Sequence, residues 1–130
     1  MKSHVILIDD NEVDNIMNEH LLQGLDQDID ISIIDDGQLA MELLEQEFSQ
    51  INPGYKTTVF LDENLPGLNG LEILEMLESR YEASGDSNVK IYFLTGDKSL
   101  RLIEKTAIME NVIRVIQKPL TSSNLKEIIF

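Results

Sequence analysis

Hydrophobic residues follow two alternating patterns along this chain. Short apolar runs (Val5-Ile6-Leu7-Ile8, Val59-Phe60-Leu61, Ile91-Tyr92-Phe93-Leu94 and Val112 to Ile116) are separated by stretches of helical period. That alternation is the signature of βαβ units. His4 to Ile8 predicts a first, fully buried strand. Val13, Met17, His20, Leu21 and Leu25 then fall on one helical stripe, with Gly24 near the expected stop. Ile29 to Ile34 predicts a second strand, alternating at its start and so suited to an edge. Asp35-Asp36-Gly37 turns into a helix carrying Leu39, Met41, Leu43, Leu44 and Phe48. Asn52-Pro53-Gly54 breaks the chain before a third strand, Thr58 to Leu61.

Leu65-Pro66-Gly67-Leu68-Asn69-Gly70 is a second breaker, after which Leu71, Leu74, Leu77 and Tyr81 line a third helix. Val89 to Leu94 is the fourth predicted strand, Lys98 to Met109 the fourth helix and Val112 to Ile116 the fifth strand. Thr121 or Ser122 caps a short last helix, Asn124 to Phe130. The expectation is one α/β domain over 1–130, without repeats or a linker. Its expected core contains Ile6, Ile8, Leu61, Phe93, Val115, Leu21, Leu44 and Leu74.

Composition narrows the function classes. The chain has 130 residues, 42% of them apolar, which suits a globular domain. It lacks cysteine, excluding disulfides and thiol chemistry. The net charge of −14 argues against direct nucleic-acid binding, since phosphates would be repelled. Charge is unevenly spread: residues 1–97 carry a net −17 and residues 98–130 a net +3, so the C-terminal third offers partners a different surface. No signal-peptide pattern or membrane-length apolar stretch is evident, and the expectation is a soluble cytoplasmic protein.

Chemistry gathers at the strand ends. In an open parallel sheet the C-terminal ends of the strands share one edge, where ligands bind. The first run ends in Asp9-Asp10, the third strand in Asp62, the fourth in Thr95, and the fifth is followed by Lys118-Pro119. Adjacent carboxylates repel unless a cation offsets them, and Mg²⁺ favours one or two carboxylates with water and a phosphate. Helix capping would account for Asp9 or Asp10 alone, and solvation for Lys118 alone. A strand-end carboxylate such as Asp62 can attack phosphorus, Thr95 can donate to phosphoryl oxygens, and Lys118 supplies compact positive charge. Only the joint placement singles these residues out.

This set, with Asp62 inside Val59-Phe60-Leu61-Asp62-Glu63-Asn64-Leu65-Pro66-Gly67-x-x-Gly70, resembles the response-regulator receiver domain of two-component signalling, stand-alone chemotaxis regulators included. The likeness runs from Val5 to Phe130. It implies a flavodoxin-like, doubly wound, five-stranded parallel sheet in order 2-1-3-4-5 with five helices. It implies that Asp62 takes a phosphoryl group from the phosphohistidine of a sensor histidine kinase or histidine phosphotransfer protein. Asp10, Asp62 and the Asn64 backbone carbonyl would bind Mg²⁺, with Asp9 acting through water and Mn²⁺ as a substitute. Lys118 would pair with Asp62 and then with a phosphoryl oxygen, Thr95 would register the phosphoryl group, and Lys118-Pro119 would be cis. Asn64 and Asp97, two residues beyond Asp62 and Thr95, are candidates for setting phosphoryl lifetime. Such a domain is a signalling phospho-acceptor rather than an enzyme, read by an unknown downstream protein.

One position departs from the family. Three residues before the lysine many receivers carry an aromatic that rotates on activation; here it is Val115, so switching would run through Gly96 and the fourth helix. Two other readings compete. A pseudo-receiver would bind partners without chemistry, but such domains usually lose an acidic or lysine position. A haloacid-dehalogenase-like phosphatase would want an aspartate where Asn64 stands and the nucleophile on its first strand. A relay intermediate and a target regulator, stand-alone or part of a longer protein, both remain open, with Asn15, Ile16 and Glu19 as docking candidates.

Overall fold

Five runs rich in β-branched residues pair in parallel to form a single sheet, and the segments between them coil into helices on both of its faces. The computed structural model describes residues 2–25, 28–49, 55–81, 88–96, 100–107, 109 and 112–129. The elements are β1 (Lys2–Ile8), α1 (Glu12–Gln23), β2 (Ile29–Ile34), α2 (Gly37–Ser49) and β3 (Tyr55–Asp62). They continue as α3 (Gly70–Arg80), β4 (Val89–Thr95), α4 (Leu100–Ala107), β5 (Val112–Gln117) and α5 (Ser122–Ile129). The order is β2-β1-β3-β4-β5, the doubly wound arrangement, with β2 at an edge as its alternation suggested.

Strand side chains alternate between the faces, so strands covered on both sides must be apolar throughout. Ile6, Ile8, Val59, Leu61, Ile91, Phe93 and Val115 point to one face and pack with Ala40, Met41 and Leu44 of α2, Ile73, Leu74 and Leu77 of α3, and Leu102 of α4. Val5, Leu7, Phe60, Tyr92, Leu94 and Ile116 point the other way, against Leu22 of α1 and Leu120, Leu125 and Ile128 at α5. Polar caps fix the helix starts. Asn11 accepts the Asp14 N–H at 3.0 Å, Asn69 and Glu72 form a reciprocal capping box, and Thr121 accepts the Asn124 N–H at 3.1 Å. Thr121, rather than Ser122, is therefore the α5 cap.

The first helix corrects the sequence reading. Of the expected stripe, Val13 and Met17 are 63% and 53% exposed, and His20 is exposed as well. The buried positions are Asn15, Asn18 and Leu22. Leu21, expected in the core, is only half-buried, and Leu22 takes its place. Leu39 of α2 is likewise exposed, while Ala40, Met41 and Leu44 are buried. The expected starts of α4 at Lys98 and end of α5 at Phe130 lie outside the described residues. No helix among the described residues is long and apolar enough to cross a membrane.

Candidate functional site

In-register parallel pairing brings the strand ends together. Ile8 lies opposite Leu61, Asp62 opposite Leu94, and Thr95 opposite Gln117, so the residues that follow these positions share one edge. Asp9, Asp62 and Thr95 are buried and Asp10 is exposed. One carboxylate oxygen from each of Asp9, Asp10 and Asp62 lies within 4.8 Å of the others. Hard oxygen donors gathered in this way match what Mg²⁺ or Mn²⁺ takes, and among the described residues no histidine or cysteine joins the group.

Lys118 bridges this group. Its Nζ donates to Asp9 Oδ2 at 2.9 Å and to Asp14 Oδ2 at 3.2 Å, and lies 2.9 Å from Asp62 Oδ1. An ammonium has three protons, so all of its donors are engaged. Burial alone would lower the Lys118 pKa, but the hydrogen bonds to Asp9 and Asp62 and the charge of both carboxylates outweigh it and raise it above its usual value. Asp62 shifts upward too: burial raises its pKa most and the Asp9 charge adds to this, against the opposing pull of Lys118 and the Asn64 backbone N–H. Asp9 is further fixed at Oδ1, which accepts the Asn11 N–H at 2.9 Å, and at its carbonyl, which accepts from Asn15 Nδ2 at 2.8 Å.

The loop after Asp62 closes tightly against the site. The Glu63 N–H donates to the Leu94 carbonyl at 3.1 Å and the Gly70 N–H to the Glu63 carbonyl at 3.0 Å. A Cβ on Gly70 would stand 2.2 Å from the Asp62 carbonyl oxygen and 2.8 Å from the Phe93 ring, so only glycine lets α3 start here. Gly67 has φ +80°, the left-handed conformation that glycine adopts without strain. On the other side the Lys118 N–H donates to the Thr95 carbonyl at 2.8 Å, and the Lys118-Pro119 bond is cis.

Residues 5–130 match the response regulator receiver domain family. The chain belongs to that family. The receiver is also 28% identical, over 99 residues, to the sensory transduction protein LytT of Oceanobacillus iheyensis. That stretch is 76% of this chain and 36% of LytT, so the chain spans about a third of that relative's length. Among solved structures, a two-component response regulator from Cytophaga hutchinsonii superposes with a TM-score of 0.80 at 22% identity, covering 99% of this chain and 96% of that one. The Mn²⁺-bound form of response regulator Rcp1 superposes with a TM-score of 0.68 at 22% identity, covering 97% and 88%. At these identities the structures speak for the fold.

Within the receiver, Asp9, Asp10 and Asp62 gather their carboxylates and Lys118 contacts Asp9 and Asp62, while Thr95 lies beside them with its hydroxyl committed elsewhere. Thr95 Oγ1 donates to Glu63 Oε2 at 2.8 Å. Neither Glu63 nor Asp14 stood out in the sequence: Glu63 reads as a spacer after Asp62, and Asp14 as an acidic first-turn residue suiting the helix dipole. Asn64 is exposed, and Asp97 lies outside the described residues. Val115 is buried in the core beneath α4, beside a cleft of about 360 Å³ also lined by Ile103, Thr106, Ala107, Val112 and Arg114. A Cβ on Gly96 would meet nothing within 4 Å. On α1, Ile16 is 63% exposed and Glu19 half-buried, whereas Asn15, expected at a docking surface, is buried against Asp9 and turned away from any partner.

Proposed function

We propose that this receiver, one domain over residues 1–130, accepts a phosphoryl group on Asp62 from the phosphohistidine of a sensor histidine kinase or histidine phosphotransfer protein, and that a downstream protein reads the change. The observation that carries this reading is the three-carboxylate group of Asp9, Asp10 and Asp62 bridged by one lysine. Negative charge there exceeds what Lys118 can offset, so the site has a standing affinity for a divalent cation. Asp10, Asp62 and the Asn64 carbonyl would hold Mg²⁺, with Asp9 through water, since both Asp9 oxygens already have donors. When bound, the ion neutralises carboxylate and phosphoryl oxygens alike.

In the transfer an Asp62 carboxylate oxygen bonds to phosphorus as the nitrogen–phosphorus bond of phosphohistidine breaks, and its electron pair leaves with the imidazole. Little covalent work is asked of the protein, whose residues position and neutralise. Lys118 must release one carboxylate to reach a phosphoryl oxygen. Asp14, its longest and most exposed partner, is the natural one to yield. The exposed apolar residues Val13, Ile16 and Met17 on α1 stand close by in sequence to these acids and suit a partner helix. Asn64, exposed two residues after Asp62, and Asp97 are proposed to tune hydrolysis of the acyl phosphate. The reading makes the protein a cytoplasmic phospho-acceptor rather than an enzyme acting on a separate substrate.

The test is incubation with phosphoramidate or acetyl phosphate, with and without Mg²⁺, followed by intact mass. Wild type should gain one phosphoryl group only with Mg²⁺ and Asp62→Asn none. Absence of any adduct would leave a pseudo-receiver. The decay rate of the adduct separates a target regulator from a relay intermediate, which needs the longer-lived form.

A further inference from the structure

Resting on that reading of Asp62, we propose that Glu63 is a positioning residue that holds the Thr95 hydroxyl in the unphosphorylated receiver, and that phosphorylation exchanges this acceptor for a phosphoryl oxygen. Thr95 is fully buried, and its Oγ1 donates to Glu63 Oε2 at 2.8 Å. A hydroxyl has a single proton to donate, and phosphoryl oxygens only accept. Thr95 therefore cannot serve both acceptors, and the two hydrogen bonds define two alternative states. The arriving group carries about −1.5 to −2 charges, and it forms on the residue next to Glu63, so repulsion drives the exchange in one direction. The Glu63 backbone is pinned by the Leu94 carbonyl and the Gly70 N–H, which leaves its side chain as the moving part. That side chain is only partly buried, so its carboxylate reaches water when released. Glu63 thus opposes phosphorylation, and the bond it makes sets how readily Thr95 answers.

The experiment measures phosphorylation rates of the full chain with phosphoramidate and Mg²⁺ by intact mass. Glu63→Ala removes both acceptor and charge, Glu63→Gln keeps an acceptor without charge, and each is repeated with Thr95→Val and Thr95→Ser. Breaking a charge-assisted hydrogen bond should speed labelling about five- to tenfold in Glu63→Ala, with Glu63→Gln in between. With Thr95→Val the Glu63 effect should fall below about twofold, and Thr95→Ser should restore it, because the coupling runs through the hydroxyl. Glu63 variants that label like wild type overturn the proposal. So does an acceleration that is equal for Gln and Ala and survives Thr95→Val, since charge alone would then explain it. Gln matches Glu in shape, so its cycle decides the matter should Glu63→Ala melt at the assay temperature. If wild type takes no phosphoryl group, the reading of Asp62 itself fails and this inference falls with it.

Discussion

Helices α1 and α3 cover opposite faces of the same sheet, follow strands of similar composition, and meet them in opposite ways. α3 packs as its sequence suggests: Ile73, Leu74 and Leu77 are fully buried and its charged residues face outward. α1 turns Asn15 and Asn18 inward with Leu22, and leaves Val13, Ile16 and Met17 outside. The difference follows from what each helix lies over. Beneath the start of α1 are a buried carboxylate, Asp9, and the lysine that neutralises it. The inner face supplies the amide of Asn15 to the Asp9 carbonyl and the carboxylate of Asp14 to Lys118. The hydrogen bond that Asn15 gives the buried Asp9 carbonyl and the charge that Asp14 offers Lys118 favour this orientation over burying one more apolar side chain. The apolar surface displaced outward in this way is where the proposed partner helix would dock.

The comparison breaks most visibly at α3. Leu74→Ala or Leu77→Ala should lower stability by about 2–5 kcal/mol in urea unfolding, because each leaves a cavity in a filled core. Equal losses from Val13→Ala or Met17→Ala would erase the contrast between the helices. Asn15→Ala should cost less, about 1 kcal/mol, for one hydrogen bond to the Asp9 carbonyl. A crystal structure or Mg²⁺ titration of that variant would then show whether Asp9 loses its placement.

Asp62→Asn probes the charge beneath α1. The folded protein holds the Asp62 proton to a higher pH than the unfolded chain, whose value lies near 3.8. The charged form therefore costs stability above the folded pKa, and that cost is relieved as pH falls through it. Without Mg²⁺, Asp62→Asn should melt above wild type at neutral pH, and the gap should close as the pH approaches 3.8. A variant less stable than wild type at neutral pH would contradict the crowded acidic site. The smallest effect is expected on the exposed face of α1: Ile16→Ser should change stability by no more than about 0.5 kcal/mol. It should nevertheless slow transfer from a phosphohistidine protein while leaving phosphoramidate labelling unchanged, which separates docking from chemistry.

The central strands were legible because both sheet faces are covered there, so they read as apolar runs such as Val5-Ile6-Leu7-Ile8, while edge strand β2 showed itself by alternation. Asp9, Asp10, Asp62, Thr95 and Lys118 were legible because each sits at the end of such a run. α1 was misread because helical periodicity finds the apolar stripe, and here Val13 and Met17 of that stripe face outward while Leu21 and Leu25 only flank the core. Asp14 and Glu63 were invisible for a different reason. Their partners, Lys118 and Thr95, lie 104 and 32 residues away along the chain.

From its residues alone this chain determined the alternation of strands and helices and which side chains end the strands, since local periodicity and turn chemistry carry that information. Tertiary structure decided which acids share the three protons of Lys118, which acceptor takes the one proton of Thr95, and which face of α1 turns inward. Those outcomes depend on how donors and acceptors from distant strands saturate one another once the sheet aligns its edge, and no stretch of sequence contains both members of such a pair.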